Sequence, residues 1–435
     1  MAVGDVEAAY RCCGWQPTDK HNMVISDLSS DDAFRINHTV PFGVRPGAGI
    51  CGAVLDAAKE ILVAEGIGPI VKWVDDFGFL RFPSDPNDST PSSLTRSTHR
   101  FAVPDVDVNP HTPLGIALSA LPTLINFPAS AFRELSYTYA YTIPDIISTT
   151  EPLGLPWAIS KWIQFQWVAV YIGFAWDLWN KRVYISDLKR VKYHKRVVDI
   201  LARVANDGRI LLAPLMTVHG CLMHITFVMR LGRSRLPSLQ RAIQGYTDNF
   251  RPRKLSSGAQ SDLIWWRDQL ASPGAYYSLH DRGQAVDRRI FVDALKKWGI
   301  GLRVDDAYMA WKWKDGALGT GGRDIGGAES IAIEFVLHYL QAIGIRNELV
   351  LVRADNKGSN AAHDKGRGRN MWSNAAIQRR WEIGHNTGLE LDIQYIASAD
   401  NPADQVSRGD FTGLHKLECA FPIPAELHPF LSKFN

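Results

Sequence analysis

The chain has 435 residues, enough for two to four domains of ordinary size, which excludes a single small module. Hydrophobic residues make up 46% and charged residues 21% of the sequence, so it is predicted to fold rather than to remain disordered. The formal net charge is only +3, and any binding of nucleic acid must therefore come from local basic patches.

The five cysteines are odd in number and include no CxxC pair, which favours a reduced compartment inside the cell, the cytoplasm or the nucleus. The N-terminal sequence lacks the charged and apolar regions of a secretory signal. The longest apolar run, from Trp167 to Trp176, is about half of the length needed to span a bilayer. We therefore expect neither secretion nor a membrane span.

Residues 1–83 alternate short apolar runs with turn residues and contain a helical pattern from about Ile50 to Ala64. In KWVDDFGFL, Asp75 and Asp76 lie between apolar residues, as on a tight hairpin that would direct both carboxylates into a cleft. Without further context, an adjacent acidic pair is more often a solvated turn than a catalytic pair. The segment predicts a compact mixed α/β unit.

The middle of the chain changes character twice. Residues 84–163 begin with a stretch rich in Pro, Ser, Asp and Asn, which favours turns and predicts a loop-rich insertion. Residues 164–287 open with a strand-like run, 164–178, and continue as a mainly helical segment with basic residues between its apolar positions. Such helices have one buried and one basic face, and serve either as a packed linker or as a holder of duplex nucleic acid.

From residue 288 the pattern changes to strands and helices in the order β-β-β-α-β-α-β. This order predicts an α/β domain with a mixed five-stranded sheet at 288–412, followed by a C-terminal tail at 413–435. The predicted fold class is therefore a multidomain chain of α/β and α+β type.

Four acids occupy informative places in that domain. Asp293 is predicted at the end of the first strand, Glu329 at the start of the first helix, Asp355 at the end of the fourth strand and Asp404 after the last strand. Acids at neighbouring strand ends converge in open α/β sheets, although each acid alone also fits an ordinary strand end or helix start. A converging set repels itself unless divalent cations neutralise it, which predicts two Mg²⁺ or Mn²⁺ ions.

The segments FVDA, AESIAIEFVL, VRADNKGSNAA and IASADNPADQVSRG resemble the four blocks of the retroelement ribonuclease H family. The resemblance implies that the four acids bind the metal ions of a nuclease that cuts the RNA strand of RNA–DNA hybrids. Leu295 departs from the family pattern, in which a small or hydroxyl residue commonly follows the first Asp-Ala. The mobile histidine of some cellular relatives is missing.

A glycine-rich stretch, HDKGRGRN at 363–370, carries Lys365, Arg367 and Arg369. It resembles the basic loop of retroelement ribonucleases H, and this implies contact with the backbone of an RNA–DNA duplex. A solvated loop is the alternative.

GDVEAAYR (4–11), VPFGVRP (40–46) and the acidic pair resemble, in order and spacing, the palm of a reverse transcriptase, especially of the gypsy-like and DIRS-like retroelements of fungal genomes. The resemblance implies that Asp5 and Asp75 bind two metal ions, with Asp76 as their companion. It also implies that Tyr10 screens the nucleotide sugar and that Lys161 protonates the leaving pyrophosphate.

The resemblance implies a partial palm at 1–83, the remainder of the palm or an insertion at 84–163, a thumb or connection at 164–287 and ribonuclease H at 288–412. Four residues precede Asp5, where family polymerases carry a fingers subdomain. We therefore expect a polyprotein fragment in which hybrid cleavage is favoured over DNA polymerisation. The alternative is a catalytically inert, nucleic-acid-binding remnant, which divalent-metal binding would distinguish.

Overall fold

The computed structural model describes residues 1–13, 24–26, 34–36, 39, 47–82, 97–98, 138–274, 276–279, 283–319, 321 and 323–433. In this part the chain is mixed α/β and forms two compact units, Met1–Leu188 and Lys189–Asn435. No helix of the described residues has both the length and the apolar character needed to cross a membrane. The VPFGVRP segment at 40–46 and most of the predicted loop-rich segment at 84–163 lie outside the described residues.

The first unit combines short antiparallel sheets with two helices among its described residues. In chain order its elements are β1 (Ala2–Asp5), β2 (Val24–Ser26), β3 (Phe34–Ile36), α1 (Gly47–Ala64), β4 (Ile70–Trp73), β5 (Asp76–Phe79), β6 (Ser97–Thr98), β7 (Thr138–Tyr139), α2 (Ile143–Thr150), β8 (Val168–Tyr171), β9 (Phe174–Asp177) and β10 (Arg182–Ile185). Strand β5 pairs with both β1 and β4, whereas β8, β9 and β10 form a separate antiparallel meander.

The helix predicted near Ile50 is present as α1, because residues at helical spacing bury one face of it. The predicted strand at 164–178 is instead a hairpin of β8 and β9, since Ile172 and Gly173 both adopt positive φ values, 46° and 83°, and close a two-residue turn. The compact first unit extends to Leu188, so this hairpin belongs with it rather than with a segment that begins at residue 164. The 84–163 segment also contains a helix, α2, which starts at a capping box formed by Thr142 and Asp145.

The second unit begins with helices and continues as a layered α/β domain. From residue 187 its elements are α3 (Asp187–Asp207), α4 (Leu212–Ile225), α5 (Pro237–Gln244), α6 (Ser257–Ala271), β11 (Tyr276–Ser278), β12 (Val286–Ala294), β13 (Gly299–Val304), β14 (Ala307–Trp313), α7 (Ile325–Ala342), β15 (Leu349–Ala354), α8 (Lys357–Lys365), α9 (Met371–Thr387), β16 (Glu390–Tyr395), α10 (Ala403–Ser407), β17 (His415–Lys416) and β18 (Leu431–Lys433). The four helices α3 to α6 lie within the segment at 164–287 that the sequence predicts to be mainly helical, which also contains the strands β8 to β11.

The large sheet is mixed, as predicted, with the strand order β16-β15-β12-β13-β14. Strands β12, β15 and β16 are parallel, whereas β13 runs antiparallel to both β12 and β14. The prediction of five strands was incomplete, because β17 and β18 both pair with β14 and give seven. Residues 413–433 therefore belong to this domain rather than to a tail: Phe421, Leu427 and Leu431 are buried in the same core as the sheet.

Strand β13 passes very close to α10, and a glycine makes this possible. A Cβ at Gly301 would lie 2.6 Å from the backbone nitrogen of Ser407 and 2.9 Å from the carbonyl oxygen of Ala403. Both are backbone atoms, so they cannot rotate away. Gly301 is also the register partner of Asp293 on β12, which places α10 beside that acid.

We predict that Gly301→Ala lowers the free energy of unfolding by about 1–3 kcal/mol, because the added methyl group must displace α10. Urea unfolding of the full chain measures the change. The matched control is Gly220→Ala, an exposed position in α4 where a Cβ meets nothing within 4 Å. That control should raise stability by up to about 1 kcal/mol, as expected for alanine in a helix. Equal stability of Gly301→Ala and wild type would contradict the close approach.

Candidate metal centre

Three carboxylates meet at one edge of the mixed sheet. Asp293 lies near the end of β12, Asp355 directly follows β15, and Glu329 lies in the second turn of α7. The two strands are parallel neighbours, with Val292 paired to Ala354, so their carboxyl ends reach the same edge. One oxygen of each acid lies within 4.8 Å of the others, and no other such group of three possible metal ligands occurs in the described part of the chain.

Local sequence fixes the position of α7 and hence of Glu329. The helix begins after Asp324, whose side chain accepts a hydrogen bond from the Gly327 nitrogen at 2.9 Å. Gly327 has no side chain to keep Trp372 of α9 away, and a Cβ there would overlap the indole ring. The first turns of α7 therefore pack tightly against α9, with Glu329 directed to the strand ends.

Burial and mutual repulsion disfavour full ionisation of this acidic cluster. Asp293 and Glu329 are only 5% and 4% exposed. Burial, followed by the charges of Asp355 and Asp404, raises the pKa of Asp293 to about 6. Burial, followed by Asp293 and Asp355, raises the pKa of Glu329 to about 9.

One oxygen of the cluster lacks a partner. The Glu329 Oε2 atom is buried and accepts no hydrogen bond from the residues that the structure describes. A hard divalent cation at this place would satisfy that oxygen and offset the repulsion of the three acids. The residues present therefore fit such a cation.

Ser407 is a site residue that the sequence reasoning missed. Its hydroxyl donates a hydrogen bond to Asp293 Oδ2 and lies 3.0 Å from the carbonyl oxygen of Asp404, within α10. The side chain is fully buried. The available signal was its position three residues after Asp404, which puts both residues on one face of a short helix.

The structure places Asp404 beside the cluster rather than within it. Both of its carboxylate oxygens accept hydrogen bonds from Arg408, at 2.6 and 2.9 Å. Its charge nevertheless contributes to the raised pKa of Asp293. Asp404 is thus close to the three acids but has a cationic partner of its own.

The predicted basic loop is shorter than its sequence suggested. Residues 363–365 form the last turn of α8, so Lys365 ends a helix while Arg367 and Arg369 lie in the loop after it. All three basic side chains are exposed.

The first unit also brings its predicted site residues together. Asp5 on β1 is paired in register with Asp76 on β5, and Asp75 lies in the β4–β5 turn. Lys161 donates to Asp5 Oδ2 at 2.6 Å. Burial, with the charges of Asp75 and Asp5, raises the pKa of Asp76 against the opposing effect of Lys161.

Tyr10 lies near the same acids. Burial and the charge of Asp75 raise the pKa of its phenol. The 3-10 helix Ala9–Cys12 carries this residue directly after β1.

Comparison with family models and with curated proteins found no match. Among solved structures, the chain is similar to a foamy viral protease-reverse transcriptase dRH in complex with double-stranded DNA, at 9% identity and a TM-score of 0.38, covering 91% of this chain and 56% of that one. A foamy viral protease-reverse transcriptase in complex with an RNA/DNA hybrid matches at 12% identity and a TM-score of 0.38, covering 91% and 44%. A foamy viral protease-reverse transcriptase in complex with double-stranded DNA matches at 10% identity and a TM-score of 0.36, covering 91% of this chain and 67% of that one. The chain thus spans about half the length of the first two, and TM-scores this low do not establish a common function.

We predict that Ser407→Ala lowers the affinity for Mg²⁺ by about ten- to a hundredfold, the usual effect of removing a group that orients a metal ligand. The hydroxyl holds Asp293 in place, and alanine leaves that carboxylate free to turn away. Calorimetric titration with Mg²⁺ measures the loss. Ser432→Ala, which removes an exposed hydroxyl from β18, is the control and should bind Mg²⁺ as wild type does.

A second prediction concerns pH. The pKa of Glu329 is raised from 4.5 to about 9 in the folded state, so the folded protein holds more protons than the unfolded chain in that range. In chelator, the free energy of unfolding should therefore fall as the pH rises from about 4.5 to about 9. Saturating Mg²⁺ should flatten this fall, because the cation favours the ionised carboxylates.

Urea unfolding over this pH range, with and without Mg²⁺, measures the effect. Glu329→Gln should reduce the slope in chelator, whereas Glu418→Gln, at an exposed position, should keep it. A slope that is unchanged in Glu329→Gln would show that another group titrates.

Proposed function

We propose that the α/β domain of the second unit binds two divalent cations, Mg²⁺ or Mn²⁺, and hydrolyses the RNA strand of RNA–DNA hybrids. The observation that carries the proposal is the convergence of Asp293, Glu329 and Asp355 within 4.8 Å at one sheet edge. The resemblance of four sequence segments to the blocks of retroelement ribonucleases H supports the substrate class.

Asp293, Glu329 and Asp355 would hold the ions, which supply the charge that activates water and stabilises the leaving oxygen of a phosphodiester. Asp293 lies on β12, between β13 and β15, and therefore faces the other two acids from the middle of the sheet. This position suits it to contact both ions. Ser407 fixes the orientation of its carboxylate through a hydrogen bond to Asp293 Oδ2.

Basic side chains on the same domain support a duplex substrate. The exposed Lys365, Arg367 and Arg369 can contact phosphates without reading bases. Binding through such contacts should be independent of sequence and weaken steeply with salt, because condensed counterions are released.

A second candidate function is duplex binding without cleavage. It is favoured by the ion pair in which Arg408 occupies both oxygens of Asp404, the fourth predicted ligand. If that pair persists when the duplex is bound, the ion set is incomplete and the domain acts as a binding module.

The acids of the first unit, Asp5, Asp75 and Asp76, together with Lys161, form a set suited to phosphoryl transfer with divalent cations. We propose cation binding there too.

We predict that Asp293→Asn lowers Mg²⁺-dependent cleavage of a labelled RNA–DNA hybrid by more than about a hundredfold. Removing a metal ligand should reduce activity more than removing a group that only orients a ligand, which costs up to about a hundredfold. The substitution keeps the shape of the side chain but withdraws one charge from the site. In chelator its melting temperature should be at or above that of wild type, because one source of repulsion is gone.

Asp392→Asn is the matched control, since Asp392 is an exposed acid on β16 of the same sheet. It should cleave as wild type does. Equal cleavage by Asp293→Asn would rule out this carboxylate as a ligand, and hybrid binding without cleavage by wild type would favour the binding module.

A further inference from the structure

Two segments that are far apart in sequence bring arginines together in the second unit. One is the 3-10 helix Arg230–Arg235, and the other is the loop that begins at Gly366 after α8. A Cβ at Gly366 would lie 3.5 Å from Arg233 Cδ and 3.6 Å from the carbonyl oxygen of Arg230. The segments are therefore in contact, and Arg367 is the next residue of the loop.

The side chain of Asn374 on α9 holds both segments. Its Nδ2 donates to the carbonyl oxygen of Ser234 at 2.7 Å, and its Oδ1 accepts from the Gly368 nitrogen at 3.0 Å. Gln378 donates to the same Ser234 oxygen at 2.9 Å. The 3-10 helix also packs under Trp266, whose ring leaves no room for a Cβ at Gly232. Both backbones are thus fixed before any ligand binds.

Among the residues that the structure describes, no acid balances the positive charges in this place. Arg233 is half-buried, and burial together with the charges of Arg230 and Arg367 lowers the pKa of its guanidinium. No described carboxylate forms an ion pair with these three arginines, although Arg230 lies over the Tyr277 ring at 4.5 Å.

Other arginines nearby do find acids. Arg235, in the same 3-10 helix, pairs with Asp262 and Glu382. Three neighbouring guanidinium groups, of which Arg233 is half-buried, repel one another when no described acid pairs with them, and a bound anion would offset this repulsion.

From this arrangement we propose that Arg230, Arg233 and Arg367 form one site that binds a backbone phosphate of duplex nucleic acid. Guanidinium groups suit phosphate because their planar N–H donors match its oxygens in pairs. The inference rests on the proposed function for the identity of the duplex, and it adds two arginines from the helical segment to the binding surface.

The position of α8 connects this site to the metal centre. The helix starts directly after Asp355 and Asn356 and ends at Gly366, beside the arginines. Its nine residues rise about 14 Å, which corresponds to about four nucleotide steps along one strand. A duplex with one phosphate at the carboxylates can therefore place another phosphate of the same molecule at the arginine cluster.

The test measures fluorescence anisotropy of a labelled RNA–DNA hybrid with the full chain, in chelator, over a series of salt concentrations. The double variant Arg230→Gln, Arg233→Gln should bind about tenfold or more weakly. The slope of log affinity against log salt should fall by about one, the value for one lost phosphate contact. Arg367→Gln should cost less affinity in the double variant than in wild type, because the three side chains share one phosphate.

Two kinds of control keep the test specific. Arg346→Gln removes one charge, as Arg367→Gln does, from an exposed arginine after α7 that donates to the carbonyl groups of Gln341 and Ile345, and it should leave the affinity within about twofold of wild type. Asn374→Ala keeps all three arginines but releases both segments, and should weaken binding, with a thermal melt to verify folding. Gln378→Leu removes the other hydrogen bond to Ser234 and serves if Asn374→Ala does not fold.

Three results would overturn the inference. The first is an additive effect of Arg367→Gln in the double variant. The second is a loss of affinity in Arg346→Gln equal to that in Arg367→Gln. The third is found with labelled poly-glutamate as a second polyanion: an equal loss of affinity for it and for the hybrid in the double variant. Cleavage assays separate this inference from the proposed nuclease. The arginine variants should raise KM with kcat within about twofold of wild type, whereas Asp293→Asn should lose kcat and keep affinity. Hybrid binding that depends on the arginines in a chain that never cleaves would support the cluster and overturn only the nuclease.

Discussion

The repulsion that arises when the buried Asp293 and Glu329 ionise beside the half-buried Asp355 is the constraint that the α/β domain has to withstand. Asp293 and Glu329 are nearly inaccessible to water, so solvent screens little of their interaction with Asp355. A loose scaffold would relax by moving α7 away from the strand ends. The domain prevents this by burying α7 almost completely in one apolar core with the central strands and the C-terminal residues up to Leu431.

The acidic sets of the two units differ in how their charge is compensated. In the first unit Lys161 pairs with Asp5 at 2.6 Å and lessens the repulsion on Asp76. In the second unit Arg408 is engaged with Asp404, and Glu329 keeps an oxygen without a partner among the described residues. The second set is therefore the stronger indication of a site that awaits added cations.

The sequence allowed the three acids to be predicted because each marks a local boundary, the end of a strand or the start of a helix, and such boundaries show in hydrophobic periodicity. Ser407 and Asn374 could not be found in that way. Their partners lie 114 and 140 residues away, at Asp293 and Ser234, and a hydrogen bond over such a separation leaves no local pattern. Strands β17 and β18 were missed for a related reason, since two or three residues are too few to show alternation.

The sequence also placed Arg367 in a basic loop but could not show what the loop contacts. The structure shows that the two ends of α8 carry opposite charges: the acids lie at its N-terminal end and the arginine cluster at its C-terminal end. The helix dipole is positive at the N-terminus, which favours the acids, and negative at the C-terminus, which favours the arginines. Each cluster alone remains self-repelling. A phosphodiester strand accompanied by divalent cations carries both opposite charges in one ligand, cations for the acids and a phosphate for the arginines, and it can relieve both repulsions at once.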